Sequence, residues 1–122
     1  MTEPERPVLL WVRSTPHSTV HLSEGIRLAA MSTALDLPVR WLFIADGVRA
    51  LVGGQEAYRY APPLSKTLAG IVANDRPALV HLPSLARRSI PWEALLEGLP
   101  LQPVGDEEAA EWVLRASRVV PL

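Results

Sequence analysis

The sequence predicts an α/β fold, a three-layer α/β/α sandwich around a five-stranded, mainly parallel sheet. Short, nearly continuous apolar runs are typical of strands that are buried on both faces of a parallel sheet. Here such runs alternate with segments whose apolar residues have helical spacing. This alternation requires right-handed crossovers, which place helices on both faces of the sheet. The five predicted strands are Pro7–Val12, Val39–Ala45, Ala78–Leu82, Leu101–Val104 and Arg118–Leu122.

Helix signals lie between these strands. Ser18 is a suitable cap for the first helix, and Pro38 follows its end. Pro103 in the fourth strand indicates an edge position or only a brief pairing, because proline donates no hydrogen bond to a neighbouring strand. The segment His81–Arg88 is interpreted as a loop. The predicted helices are Thr19–Leu35, Val48–Val52, Leu64–Val72, Pro91–Gly98 and Asp106–Ala116.

Length and composition set the class of protein. The 122 residues predict a single domain over positions 1–122, large enough for one hydrophobic core. A net charge of −1 argues against direct nucleic-acid binding, which needs clustered and unbalanced cations. No apolar run has the length of a membrane span, and the start MTEPERP does not resemble a signal peptide, so we expect a cytoplasmic protein without a membrane partner.

The sequence contains no cysteine. This absence excludes disulfides, cysteine-ligated metals, thiol nucleophiles and the carriage of a persulfide by the chain itself. The first loop lacks the glycine fingerprint of a dinucleotide fold, and PPLSKT lacks the ending of a phosphate loop. We therefore expect no bound cofactor.

The loops that follow the strands are the places to look for a site, because open parallel sheets bind ligands outside the carboxyl ends of their strands. Arg87 and Arg88 have the chemistry to bind an anion or a partner's carboxylate, although such pairs are usually solvated. Asp46-Gly47 is most simply a turn, but it lies at the same edge. The residues predicted to line a cleft or ligand site are Ser14, His17, Asp46, Gly47, His81 and Arg88.

Two catalytic alternatives involve the histidines. His17 and His21 are four residues apart, and with His81 they form a possible set of metal ligands, although polar residues beside a loop explain the same spacing. A serine nucleophile such as Ser84 would need a nucleophile elbow or an oriented histidine–carboxylate pair, and neither is visible in the sequence. No catalytic residue is therefore assigned.

Four segments resemble the DsrE/DsrF-like family, which includes the sulfur-relay subunits TusD and TusC. EGIRLA and LFIADGV resemble the first helix and the second strand with its turn, and ASRVV resembles the closing strand, with Ser117 where an acid is common. HLPSLARRSI resembles the segment that begins with the sulfur-carrying cysteine and ends in Arg-Gly. Alignment on Arg88 places His81 at the cysteine and Ser89 at the glycine.

The resemblance implies an α/β/α sandwich that assembles into trimers or hexamers, from one kind of subunit or from several. Because an imidazole cannot hold a stable persulfide, the resemblance further implies a non-catalytic accessory subunit in intracellular sulfur relay. Its partners would be further copies of itself, cysteine-bearing DsrE-like paralogues, or both. The alternative hypothesis is a stand-alone homo-oligomeric protein that binds a small ligand or an anion, or has a regulatory role.

Overall fold

The computed structural model describes residues 6–13, 21–53, 72 and 76–122. Its five strands form one parallel sheet in the order β4-β3-β2-β1-β5. This architecture confirms the predicted α/β class and the predicted positions of all five strands. The strands are β1 (Val8–Val12), β2 (Val39–Phe43), β3 (Ala78–His81), β4 (Leu101–Val104) and β5 (Arg118–Pro121).

Three α-helices and two 3₁₀-helices surround the sheet within the described residues. The first and last α-helices agree with predicted helices, whereas the middle α-helix occupies a segment that the sequence analysis interprets as a loop. Ser14, His17 and the predicted helix Leu64–Val72, apart from Val72 itself, lie outside the described residues. The helices are α1 (His21–Ala34), α2 (Leu82–Arg87) and α3 (Asp106–Arg115), and the 3₁₀-helices are Ala45–Leu51 and Trp92–Ala94.

The predicted helix Pro91–Gly98 is wrong beyond its first turn. After the 3₁₀ turn, Leu95 forms an antiparallel bridge with Val52, and the Leu96 N–H donates to the Leu51 carbonyl. Leu95 is buried in the core. Tertiary pairing of this segment with the end of the first 3₁₀-helix therefore replaces the helical hydrogen bonds that local propensity favours.

The alternation of side chains along the strands produces a core on each side of the sheet. Leu10, Trp41 and Phe43 belong to the core that includes residues of α1, the first 3₁₀-helix and α2. Leu9 and Leu42 belong to the smaller core under α3. The three central strands, β1, β2 and β3, are thus covered on both faces, which explains why they are apolar runs rather than alternating sequences.

A stack of cations and an aromatic ring joins α3 to the sheet. The guanidinium of Arg40, on β2, lies 4.4 Å from the centre of the Trp112 ring, and that of Arg115 lies 4.1 Å from it. Arg40 also donates to the carbonyl oxygen of Pro77 at 3.3 Å. This packing holds the second half of α3 near the amino ends of the strands. The start of α3, which follows β4, therefore lies at the carboxyl end of the sheet.

The edge strands each contain a proline. Pro103 lies in β4 and Pro121 in β5, the two outer strands of the sheet. Proline removes a donor from an edge and so discourages pairing with another chain's strand. The predicted edge position of the fourth strand is confirmed. In the part of the chain that the structure describes, no helix is long and apolar enough to cross a membrane.

Candidate functional site at the carboxyl end of the sheet

The candidate site lies at the carboxyl ends of β1 to β4. The first 3₁₀-helix follows β2, α2 follows β3 without an intervening loop, and α3 follows β4 after Gly105. Since parallel strands all end at one edge, these three helix starts come together there. Two clusters of polar side chains result, one buried and one exposed.

The buried cluster is a hydrogen-bonded chain centred on His81. The Nδ1 atom of His81 lies 2.6 Å from Ser84 Oγ, and Nε2 lies 2.6 Å from Asp106 Oδ1. His81 is 5% exposed and Ser84 is 2% exposed, whereas the Asp106 side chain is 78% exposed. The chain therefore begins in the interior, and only its carboxylate reaches solvent. We call these three residues the histidine network.

One arrangement of protons satisfies every member of the histidine network. The backbone N–H of Ala45 donates to Ser84 Oγ at 2.8 Å. The Ser84 hydroxyl can then donate to His81 Nδ1, and Nε2–H can donate to the Asp106 carboxylate. Each polar atom has a partner, as a buried polar group requires.

This geometry contains an oriented histidine–carboxylate pair, which is not visible in the sequence. Asp106 supplies the carboxylate, and the sequence analysis treats this residue only as the start of the predicted helix Asp106–Ala116. A partial signal is present, because His81 ends one strand and Asp106 follows another, but only the structure shows that these two strands are neighbours. Ser84 is nevertheless unsuited to nucleophilic attack, because its hydroxyl is buried and its oxygen accepts the Ala45 N–H.

The turn after β2 depends on the same serine. Ala45 has a φ of +53°, in the left-handed region that side chains other than glycine disfavour. Its N–H is the donor to Ser84 Oγ. The hydrogen bond therefore stabilises a turn that starts the first 3₁₀-helix and directs Asp46 to the surface.

Gly47 is required by a close approach of two backbones. A Cβ atom at this position would lie 1.9 Å from the carbonyl oxygen of Val12 and 2.5 Å from its carbon. The first 3₁₀-helix thus lies directly on the end of β1, where no side chain fits. Gly47 positions its neighbours but cannot itself contact a ligand through a side chain.

The exposed cluster is an ion-pair group around Asp46. Arg88 Nε donates to Asp46 Oδ1 at 3.0 Å, and Arg49 Nε lies 3.6 Å from the same oxygen. The hydrogen bond from Arg88 is the main reason that the pKa of Asp46 lies below its ordinary value, and the positive charges of Arg88 and Arg49 add to it. We call these three residues the arginine cluster.

The end of α2 holds Arg88 in place. The N–H of Ile90 donates to the Leu85 carbonyl and that of Ser89 to the Ala86 carbonyl, which together form a Schellman motif. Ser89 has a φ of +53°, a conformation that favours glycine. This observation gives a physical reason why glycine is suited to the position that Ser89 occupies.

The proposed metal site receives no support from His81. Both of its ring nitrogens are engaged, with Ser84 and with Asp106, so ligation would require the loss of one of these bonds. Over the described ranges, no three potential metal-binding side chains come together. His17 lies outside those ranges, and for His21 the structure describes the backbone alone.

Fold and site together define a class: a small parallel α/β sandwich whose polar residues gather at the carboxyl ends of its strands. The family model of the DsrE/DsrF-like family matches residues 7–122, and the chain belongs to that family. The crystal structure of the YchN protein from E. coli has the same fold, with a TM-score of 0.78 and 22% sequence identity over 96% of this chain and 99% of that one. No curated protein sequence matches the chain.

Proposed function

We propose that this protein is a non-catalytic DsrE/DsrF-like subunit that assembles with cysteine-bearing paralogues, with copies of itself, or with both, in intracellular sulfur relay. The observation that carries the proposal is the state of His81. The family resemblance aligns this residue with the sulfur-carrying cysteine. In this chain the position holds a buried imidazole whose two nitrogens are both hydrogen-bonded.

The chemistry of that position supports an accessory role. A persulfide needs a cysteine sulfur, and the chain has none at any position. The histidine network also leaves neither nitrogen of His81 free to attack a substrate. A subunit of this kind contributes surface and stability to an assembly, while a partner carries the sulfur.

An exposed apolar stripe on α1 supports assembly. Leu28 and Met31 on α1 and Leu35, directly after its end, are all exposed and have the spacing of one helix face. Leu37, two residues further on, is exposed as well. Contiguous exposed apolar surface is typical of protein interfaces. We assign the stripe to contact with another DsrE-like subunit, either a copy of this chain or a paralogue.

The test is a native pull-down of the chain from its own cells, followed by mass spectrometry. We expect a DsrE-like protein of similar size that has a cysteine at the position matching His81. The proposal is contradicted if the chain is a stable monomer that binds no such paralogue when both are purified and mixed.

A pair of variants tests the interface. Met31→Glu places a charge in the α1 stripe and should abolish assembly in native mass spectrometry, because an unpaired charge in an apolar interface is strongly unfavourable. Leu114→Glu is the matched control, since Leu114 is exposed on α3, on the opposite face of the sheet. Equal effects of the two variants would argue against the stripe as the interface.

A second candidate function is a stand-alone homo-oligomeric protein that binds a small ligand or an anion. The observation in its favour is the arginine cluster at the end of the sheet where ligands bind. A pull-down that recovers this chain alone, together with an assembly formed by the chain itself, would favour this second function.

A further inference from the structure

We infer that the arginine cluster is a binding site for a small oxyanion of the sulfate or phosphate class. Arg88 is the principal donor, and Arg49 supplies further positive charge. The inference deepens the second candidate function, but it applies to the isolated chain whether or not a paralogue joins it.

Arg88 is held in place before any ligand arrives. Its Nε donates to Asp46 Oδ1, and its Nη1 donates to the backbone carbonyl of Ser84 at 3.1 Å. These two contacts use two of the five N–H groups of the guanidinium. Arg88 has no further hydrogen-bond partner among the described residues, and its side chain is 19% exposed. The guanidinium of Arg88 is thus a fixed fork of N–H groups with unused donors. Such a fork is suited to an oxyanion, because little rotamer freedom remains to be lost on binding.

Two positive charges face the same carboxylate in the arginine cluster. Arg88 Nε lies 3.0 Å and Arg49 Nε lies 3.6 Å from Asp46 Oδ1. The Asp46 carboxylate occupies one N–H group of Arg88 and the Ser84 carbonyl occupies another, so the negative charge of Asp46 does not take up the whole guanidinium.

The expected ligand is small and weakly held. Arg49 and Asp46 are both more than half exposed, so water and salt compete for the arginine cluster. The arginine cluster offers N–H donors and positive charge at an exposed position. These properties suit a compact tetrahedral oxyanion, with affinity on the order of millimolar.

The test uses the isolated full-length protein and inorganic sulfate. We expect sulfate to shift the Arg88 Nε–H resonance and the backbone amide resonances of Asp46 and Arg49 in ¹H–¹⁵N NMR spectra in a saturable manner, while chloride at the same ionic strength does not. The backbone resonances give the sulfate affinity in variants that lack the Arg88 guanidinium. Equal and non-saturating shifts with both salts would overturn the inference, because they would report general screening.

Three variants make the test specific. Arg88→Lys should weaken sulfate binding about tenfold, because lysine keeps the charge and loses the fork. Arg118→Lys is the matched control and should leave affinity unchanged, since Arg118 is exposed at the opposite end of the sheet. Asp46→Asn should tighten binding about threefold, because it removes a negative charge and keeps an oxygen that accepts from Arg88.

The opposite signs of Arg88→Lys and Asp46→Asn separate binding from folding. If the ion pair were only structural, either both variants would weaken the sulfate response or neither variant would change it. That result would overturn the inference, and so would equal behaviour of Arg88→Lys and Arg118→Lys. None of these outcomes depends on whether a paralogue is recovered, so the failure of the anion site and the failure of the accessory-subunit proposal are distinguishable.

Discussion

The histidine network and the arginine cluster lie at the same end of the sheet and meet at one residue, Ser84. The Ser84 hydroxyl belongs to the buried network, where it bonds His81 and the Ala45 N–H. Its backbone carbonyl accepts from Arg88 of the exposed cluster. Ser84 thus contacts both groups, but the two groups differ in burial: His81 is 5% exposed, while the Asp46 side chain is 56% exposed.

This difference in burial separates stability from binding. Removing one partner in a buried network leaves another polar atom without a hydrogen bond, and that loss destabilises the fold. Removing one partner from an exposed ion pair costs little, because water replaces it. We therefore expect variants of the histidine network to change the free energy of unfolding, and variants of the arginine cluster to change affinity for anions.

The largest expected effect would break both clusters at once. Gly47→Ala places a methyl group 1.9 Å from the Val12 carbonyl oxygen, so the first 3₁₀-helix must move away from β1. This movement displaces Ala45 and Asp46 together. We expect destabilisation of about 3 kcal/mol or more, measured by urea unfolding.

Gly105→Ala is the matched control for that variant. A Cβ at Gly105 meets no atom within 4 Å, and its φ of −90° is open to any residue. The expected cost is below about 1 kcal/mol, since glycine precedes α3 as its cap and alanine caps less well. If both glycine variants unfolded at the same urea concentration, the close approach at Gly47 would not be what requires glycine there.

The next effect breaks the histidine network alone. Ser84→Ala removes the hydroxyl that accepts from Ala45 and bonds His81, so the buried Nδ1 of His81 and the partly buried N–H of Ala45 both lose a partner. We expect a loss of about 2 kcal/mol in the free energy of unfolding, with little change in sulfate binding. Ser117→Ala, at an exposed serine, should cost less than about 0.5 kcal/mol. If Ser84→Ala left the free energy of unfolding unchanged, the histidine network would not contribute to stability.

The strands were predictable because burial on both faces leaves a strong pattern in sequence. Val39–Phe43 and Ala78–His81 are fully covered, or nearly so, and apolar throughout except for Arg40 and His81. Helix α2 was not predictable in the same way. Its six residues include Pro83 and end in Arg87, and a second arginine follows directly. These features suggest a turn, and the stability of α2 comes from buried Leu85 and the Schellman motif.

The candidate site was predictable in its location but not in its contacts. Asp46, His81 and Arg88 all lie at the predicted edge of the sheet. This prediction requires only that the sheet is parallel, because parallel strands all have their carboxyl ends at the same edge. The link from His81 to Asp106 depends on β3 and β4 being neighbours, which strand patterns alone do not specify. Similarly, the positive φ at Ala45 is supported by a tertiary hydrogen bond to Ser84 Oγ, and that at Ser89 by the Schellman motif. The residue types at both positions disfavour this conformation.

A smaller effect tests the support that α2 gives to both clusters. Ser89→Gly replaces a side chain held at positive φ, and we expect it to raise the free energy of unfolding by about 0.5 to 1 kcal/mol. Gly98→Ala is the reverse control: Gly98 has a φ of +78° with open space around its Cβ position, so alanine should cost about 1 kcal/mol. A destabilising Ser89→Gly would indicate that the serine side chain makes a contact that outweighs the strain.

The smallest expected effect concerns the protonation of Asp46, and it tests whether the arginine cluster exists in solution. Arg88 lowers the pKa of Asp46 in the folded protein. The ion pair therefore stabilises the fold fully above the unfolded-state pKa, and this contribution is lost as the pH falls through the lower folded-state pKa. Arg88→Gln should raise the pKa of Asp46 towards its ordinary value in a ¹³C NMR titration of the carboxyl group, whereas Arg118→Gln should leave it unchanged. If Asp46 titrated identically in all three proteins, Arg88 would not pair with it, and the preformed fork on which anion binding depends would be absent.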